Sequence, residues 1–537
     1  QFLDISNLDF SAPMVMRGVD IAQLIFYPIK YDSNTRILTI IEDFNIHIIE
    51  EENLNYEFDI SLNVPVSREY EKILNEMVIN LDLGDRTTDE MPSILYVCGG
   101  NSLSNSYLQD LIQWRKEQGF KVYTVETSNI GSGTSSIKNY ISNAYNTWEY
   151  PPEHIILVGD TGGSYQIDHW SDSDYPYTLI AGNDLLPEMF IGRISANSSS
   201  DLNNIINKTL AYEKATFIEF TGLDWYESAG LVGDPSSTGN SAIITNEYIE
   251  NILNSYEFDG IETCYSCGYT SWMQNRLEEG ILYFNYRGYI GTSGFGSNHI
   301  NNANNGYMTP FVTFITCSTG GFSGTAITEQ FIRAGSTSSP KGAVAAIGTA
   351  TSSTHTVPNN IVDMGIYDGI FADGVSTAGA ALVSGKMALH STYPTDPSDM
   401  TYKFTHWNNL MGDPVLHLWT DTPKNLNVTY PSNINLGTDV IQVNVEDDNG
   451  NPVSGARVVV FSDEENVSYS FTDDDGNLSI DCDFEMSSSL TLTIIKRNYI
   501  PFNNNISISG SNFIEFENDL TYVDDAMNED QNGVANP

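Results

Sequence analysis

The sequence predicts an α/β protein built from two tandem α/β halves, with a β-rich segment ahead of them and a β-sandwich behind. Three observations predict it. Between about residues 91 and 421, β-branched and aromatic runs alternate with amphipathic helical stretches, the pattern of a parallel sheet with helical crossovers. Before residue 85, two long β-type runs flank a turn signal. After residue 422, the alternation gives way to short strands broken by Asn-Gly, Asp-Gly and Ser-Gly turns.

In chain order, IAQLIFYPIKYD and RILTIIEDFNIHIIEEE form a hairpin signal around Asp32-Ser33-Asn34, and EYEKILNEMVINLDL reads as a helix entering a polar linker near 84–90. In the first half (91–218), SILYVCGG, KVYTVE, EHIILVGD and MFIGRI read as strands. Helices between them carry Leu108, Leu111, Ile112 and Trp114, then Ile137, Tyr140, Ile141, Ala144 and Trp148. A further helix carries Leu202, Ile205, Ile206 and Leu210. The second half (219–421) repeats the scheme with AGLVGD, IETCYS, ILYFNYRGY, FVTFITC and GAVAAIGTA as strands. Each half is long enough to carry a core of its own. Residues 422–512 read as an Ig-like β-sandwich, and 513–537 as an acidic tail. In that tail Asn528, Asp530 and Asn532 alternate as oxygen ligands do in a calcium loop, a candidate for structural Ca2+.

Composition narrows the function. The 537 residues carry 23 Lys+Arg against 70 Asp+Glu, a net charge of -47, which repels nucleic acid and anionic membrane surfaces. Such acidity suits an extracellular or saline setting. No run approaches the roughly 18 uninterrupted apolar residues of a membrane span. QFLDISNLDF lacks the basic and apolar regions of a secretory signal, so the chain is expected to begin after processing. Of five cysteines, Cys264 and Cys267 form a lone Cys-x-x-Cys. That reads as a local disulfide or two thiols ahead of half a zinc site, since no second pair completes a ligand set.

The chemistry centres on Cys317. No Gly-x-Ser-x-Gly elbow, His-Glu-x-x-His motif or Gly-x-x-x-x-Gly-Lys loop occurs. Cys317 closes the run FVTFITC and opens into Ser318-Thr319-Gly320-Gly321, an edge that α/β enzymes use for catalysis. A thiol nucleophile needs a partner that favours thiolate and backbone N–H groups for the oxyanion.

These residues sit in a wider pattern. NYRGY (285–289), FVTFITCSTGGF, AAIGTATSSTHT, MGDPVLHLW and GNDLLPEMFIGRI resemble, in joint order, the gingipain-type cysteine peptidases of family C25, whose fold is caspase-like. MRGVDIAQLIFYPIKYD resembles the end of the family's propeptide. The resemblance implies two caspase-like subdomains and an endopeptidase acting on protein or peptide substrates, with no cofactor needed for chemistry. It also implies a secreted or cell-surface prokaryotic protein with Cys317 as nucleophile. Glu188 matches the acid that orients the family's histidine, and Asp201 the carboxylate of the primary specificity pocket. Where active members carry His-Gly, this chain has Tyr289-Ile290. A phenol, ionising at about pH 10 in water, is a poor base at neutral pH. His355 after GAVAAIGTA is the expected substitute base, with His299 the second candidate. A further outcome has Tyr289 itself take part in the chemistry, and Gly288 and His299 are expected, with Asp201, along the substrate-binding edge. The alternative is a catalytically silent relative retained as an envelope or assembly component.

Overall fold

The computed structural model describes residues 8–509, apart from 44, 46, 48–63, 87–90, 352–354, 397, 436, 463–466 and 482–488. The candidate calcium ligands Asn528, Asp530 and Asn532 lie outside the described residues, as does much of the run ending IIEEE. The chain divides into two compact units, one of residues 1–426 with 495–501 and one of the remaining carboxyl-terminal residues.

In the larger unit, ten strands form one sheet. They are β1 (Ser93–Cys98), β2 (Lys121–Glu126), β3 (Pro152–Val158), β4 (Phe190–Ile194), β5 (Ser228–Gly233), β6 (Gly260–Cys264), β7 (Tyr283–Arg287), β8 (Phe311–Phe314), β9 (Ala345–Thr349) and β10 (Asn408–Met411). Their spatial order is β6-β5-β7-β8-β9-β10-β4-β3-β1-β2. Apart from β10, neighbours within each half pair in parallel, as crossover connections require. β10 runs antiparallel to β9 and meets β4 at Met411 and Arg193, which joins the halves. The first half keeps a cluster of its own around Leu95, Val97, Ile137, Ile141, Ile155 and Leu157, and the halves also share core. One cluster mixes Ile94 and Ile156 of the first half with Phe284, Phe314 and Met411 of the second. Continuous burial along β1, β3, β4, β7, β8 and β9 explains why these strands read as unbroken apolar runs.

Helices cover both faces: α1 (Arg68–Met77), α2 (Ser106–Glu117), α3 (Thr134–Thr147), α4 (Ser199–Glu213), α5 (Ser241–Ser255), α6 (Tyr269–Glu279), α7 (Ile327–Arg333), α8 (Thr356–Phe371) and α9 (Ala378–Thr392). On one face α5, α8 and α9 bury Ile249, Leu253, Ile366 and Leu389 against Tyr283, Phe311 and Ile347. At fully buried positions each such side chain contributes about 1.5–3 kcal/mol over exposure.

The amino segment forms the expected hairpin, Ile29–Asp32 against Ile37–Ile40. A second hairpin, Met14–Met16 against Val19–Ile21, places Met16, Val19 and Ile21 inside the main core. The propeptide-like stretch is thus in part a core element of this unit.

The smaller unit holds a three-stranded sheet (Asn427–Thr429, Val440–Glu446, Asn477–Asp481) and a five-stranded one ordered Asn433–Asn435, Phe502–Ser509, Ser489–Ile495, Arg457–Phe461, Val467–Phe471. Alternating burial of Ile441, Val443 and Val445 is that of strands with one solvated face.

Candidate active site

The carboxyl ends of β7 and β8 bring the thiol to the sheet edge. Regular pairing stops at Tyr286 with Phe314, and the Thr316 N–H then turns back to the Phe314 carbonyl. Cys317 resumes contact through a single bridge to Ile290, with the Gly291 N–H donating to the Cys317 carbonyl at 3.0 Å. Cys317 is 2% exposed, while Tyr289 and Ile290 are 50% and 56% exposed. Ser318 follows with φ 63°, and its N–H donates to the Thr351 carbonyl. The two glycines flanking this edge answer to space. A Cβ on Gly288 would stand 2.6 Å from the Tyr286 hydroxyl, and one on Gly320 2.3 Å from the Gly348 carbonyl oxygen. Gly288 is thereby fixed by packing against Tyr286.

The histidines are otherwise engaged. His355 is the N-cap of α8, and its Nδ1 accepts from the Val357 N–H at 3.3 Å. A neutral imidazole that accepts at Nδ1 carries its proton on Nε2, so His355 must leave this cap to take a proton from Cys317. His299 accepts from the Gly296 N–H through Nδ1 and stacks on Phe295.

Glu188 does not stand with the thiol at the carboxyl edge, whereas Asp201 lies just past the carboxyl end of β4 at the start of α4. Glu188 lies in the core before β4, where the Tyr145 hydroxyl donates to its carboxylate at 2.7 Å and Arg17 donates to its backbone carbonyl. Arg17 also donates to the carbonyl of Pro152, at the start of β3, so Glu188 sits at the amino ends of these strands. Asp201 closes the start of α4. Its carboxylate accepts from the Asn197 N–H and the Ser198 hydroxyl, while the Ser198 hydroxyl caps the Asp201 N–H.

Burial pushes the Glu188 carboxyl up to about 7 from 4.5, against the opposing help of Tyr145 and Arg17. The native state then holds a proton that the unfolded chain releases. Stability from this group is full below 4.5 and is lost as pH rises through about 7, an effect of at most roughly 3 kcal/mol. Glu188→Gln is expected to flatten the pH dependence of thermal unfolding between pH 5 and 8. Parallel slopes for variant and wild type would exclude this linkage.

Charged residues that the sequence reading passed over do stand at the edge. Asp234 follows β5, its N–H donating to the Arg287 carbonyl at 2.9 Å. Burial opposes its charge, but bonds from the Ser293 hydroxyl and the Ser236 N–H outweigh that and hold the carboxyl below its ordinary value. Arg287, the last residue of β7, is fully buried. Its Nε donates to Asn360 at 3.0 Å, its Nη2 donates to the Thr356 carbonyl, and Asp363 lies at 3.7 Å. Asp363 accepts in turn from Asn285, which also donates to Asn246 and accepts from Thr313. Burial pushes the Asp363 carboxyl up to about 7 and Arg287 down to about 10. The sequence signal was available: Arg287 ends a strand otherwise built from buried residues, and Asp234 precedes proline just past a strand.

Among the described residues Cys264 is bonded to Cys267, and Cys98 and Cys317 are in no disulfide. Burial pushes Cys98 up to about 12, which makes it inert at neutral pH. Among the described residues, no cluster of three or more His, Cys, Asp or Glu could hold a metal.

A buried thiol at the carboxyl edge of a largely parallel sheet is the placement that cysteine-nucleophile hydrolases use. Residues 87–419 match the profile of Peptidase family C25, and the chain belongs to that family. Gingipain R2 of Porphyromonas gingivalis is 24% identical over 536 residues, spanning 96% of this chain and 71% of its own length. Gingipain R1 of the same species is 26% identical over 456 residues, spanning 81% and 45%. The crystal structure of the Arg-specific cysteine proteinase gingipain R superposes with a TM-score of 0.69 at 24% identity, covering 79% of this chain and 99% of that one. The fold is accordingly caspase-like, and peptidases of this kind need no cofactor for catalysis.

Proposed function

We propose that the protein is a secreted or cell-surface cysteine endopeptidase in which Cys317 attacks the peptide carbonyl. The observation that carries this reading is the position of Cys317 between Ile290 and the turn at Ser318, at the edge where β7 and β8 end. The Cys264–Cys267 disulfide and the charge of -47 support an oxidising, extracytoplasmic setting. His355 is the residue proposed to accept the thiol or water proton, after releasing the Val357 N–H. Attack by sulfur would form an acyl-enzyme and expel the amine, and water would then release the acid.

A second reading has a specific observation behind it. Tyr289 occupies the histidine position, and both His355 and His299 use Nδ1 as an acceptor within their own turns. A silent relative that binds peptides or assembles at the envelope would look the same. Labelling with a peptidyl acyloxymethyl ketone, read with hydrolysis of a mixed peptide library, separates the two. The enzyme reading expects stoichiometric modification of Cys317 and turnover that falls to background in Cys317→Ala. Absence of both in the folded wild-type protein would leave the silent reading. Labelling that is unchanged in His355→Ala would remove that histidine from the mechanism.

A further inference from the structure

We propose that Thr319 is a positioning residue for Cys317: its side chain closes the turn that carries the thiol and fixes that turn to β9. The inference rests on the reading of Cys317 as the reactive thiol and adds the residue that sets where its sulfur stands.

The hydrogen bonds of the turn carry it. Thr319 is 1% exposed, and its hydroxyl lies 2.5 Å from the Phe314 carbonyl oxygen and 2.7 Å from that of Thr316. The single hydroxyl proton serves these two carbonyls. The loop closed in this way leaves the end of β8 and encloses Cys317 and Ser318. The same oxygen accepts from the Thr349 N–H at 3.0 Å, and the Thr319 N–H donates back to the Thr349 carbonyl, also at 3.0 Å. That reciprocal pair fastens the turn to the last residue of β9. The N–H groups of Ser318 and Gly320 donate to the carbonyls of Thr351 and Thr349, and Thr328 donates to the Thr319 carbonyl from both its N–H and its hydroxyl. Space for the Thr319 hydroxyl comes from Gly348, where a Cβ would stand 2.8 Å from Oγ1.

Two features tie this clamp to the thiol. Ser318, next to Cys317, has φ 63°, a left-handed conformation that a serine keeps only where surrounding contacts impose it. At Cys98, also at a strand end, the left-handed residue of the following loop is Gly100 at φ 54°, which needs no such support. The clamp also continues toward the proposed base. The Thr349 hydroxyl lies 2.8 Å from Asn408 Oδ1 and 3.3 Å from Asn359 Oδ1, and Asn359 is in the first turn of α8, whose N-cap is His355. One chain of bonds thus runs from the Cys317 turn to the helix that His355 begins. Removing the Thr319 hydroxyl takes the acceptor from the Thr349 N–H and the donor from the Thr316 carbonyl, so the turn loses its closure.

The test is alkylation of the full chain by iodoacetamide, with Cys317 and Cys98 quantified separately by peptide mapping, alongside peptide turnover. Thr319→Val keeps the shape and removes the hydroxyl. It is expected to loosen the turn alone, so that Cys317 reacts about tenfold faster while Cys98 does not change. In the same variant kcat for a cleaved peptide is expected to fall by about 10–100-fold with KM nearly constant, the mark of a displaced nucleophile. Thr319→Ser, which keeps the hydroxyl, is expected to restore both. Thr319→Ala leaves room for a water at the hydroxyl's place, so it should shift both readouts the same way by less, and it serves if the valine variant does not fold. Wild-type rates of alkylation and turnover in a folded Thr319→Val would overturn the proposal. So would a parallel rise at Cys98, which marks loosening of the whole unit, or a change in Thr319→Ser as large as in Thr319→Val. A wild type that cleaves no peptide would sink the peptidase reading, and the alkylation comparison would then decide this one by itself.

Discussion

Tyr289→His combined with Ile290→Gly is expected to raise kcat/KM for peptide hydrolysis by about 10²–10⁴-fold, the usual contribution of a positioned general base. The site is otherwise arranged to use such a base. Residue 289 immediately precedes the bridge between Ile290 and Cys317, so an imidazole there would emerge next to the thiol. Asp234 follows the adjacent strand, anchored through its own N–H to the Arg287 carbonyl and held ionised by Ser293, where it could orient that imidazole. Tyr289 and Ile290 are both half exposed, so replacing them removes little packing. The rate profile should gain an acid limb near the ordinary imidazole value of about 6.5. If the variant folds, is alkylated at Cys317 as the wild type is, and hydrolyses no faster, then the edge lacks more than a base.

The same region shows how far the sequence could be read. Strands β7, β8 and β9 were legible because continuous burial demands unbroken apolar runs, and the family resemblance located Cys317. The joining of the halves was not legible, since the antiparallel β10 is the short run Asn408–Met411, whose two asparagines are spent on buried side-chain bonds. Glu188 illustrates a different limit. It is an acid just ahead of a strand, and sequence position does not distinguish a carboxylate in a cleft from one bonded to Tyr145 in the core. Asp234 and Arg287 were the reverse case. Their importance comes from neighbours that sequence distance hides, such as Ser293 for the one and Asn360 and Asp363 for the other.

Arg17→Ala is expected to destabilise the larger unit by about 3–5 kcal/mol, the cost of removing one partner from a buried ion pair. Arg17 sits at the turn of the Met14–Met16 and Val19–Ile21 hairpin and reaches into the core. There it donates to the carbonyls of Pro65, Pro152 and Glu188 and pairs with Glu153 at 3.6 Å. Tyr70 and Tyr145 flank the guanidinium at 5.7 and 5.6 Å. Truncation would take the cation from the buried Glu153 carboxylate and the donor from four carbonyls, that of Pro151 included. Two controls separate the causes. Arg17→Lys keeps the charge but loses the fork that serves several carbonyls at once, so it should recover only part of the loss. Arg17 adopts φ 51° ahead of Gly18 at 71°. Arg17→Gly therefore removes the same side chain while relieving left-handed strain, and should be the more stable of the two truncations by about 1 kcal/mol. Thermal unfolding read alongside limited proteolysis would check all three. Because Met16, Val19 and Ile21 belong to the main core, loosening this hairpin should expose the amino segment to cleavage and lower the melting temperature together. Cleavage without a fall in melting temperature would mean that the segment is a removable cover, with Arg17 serving only to hold it down.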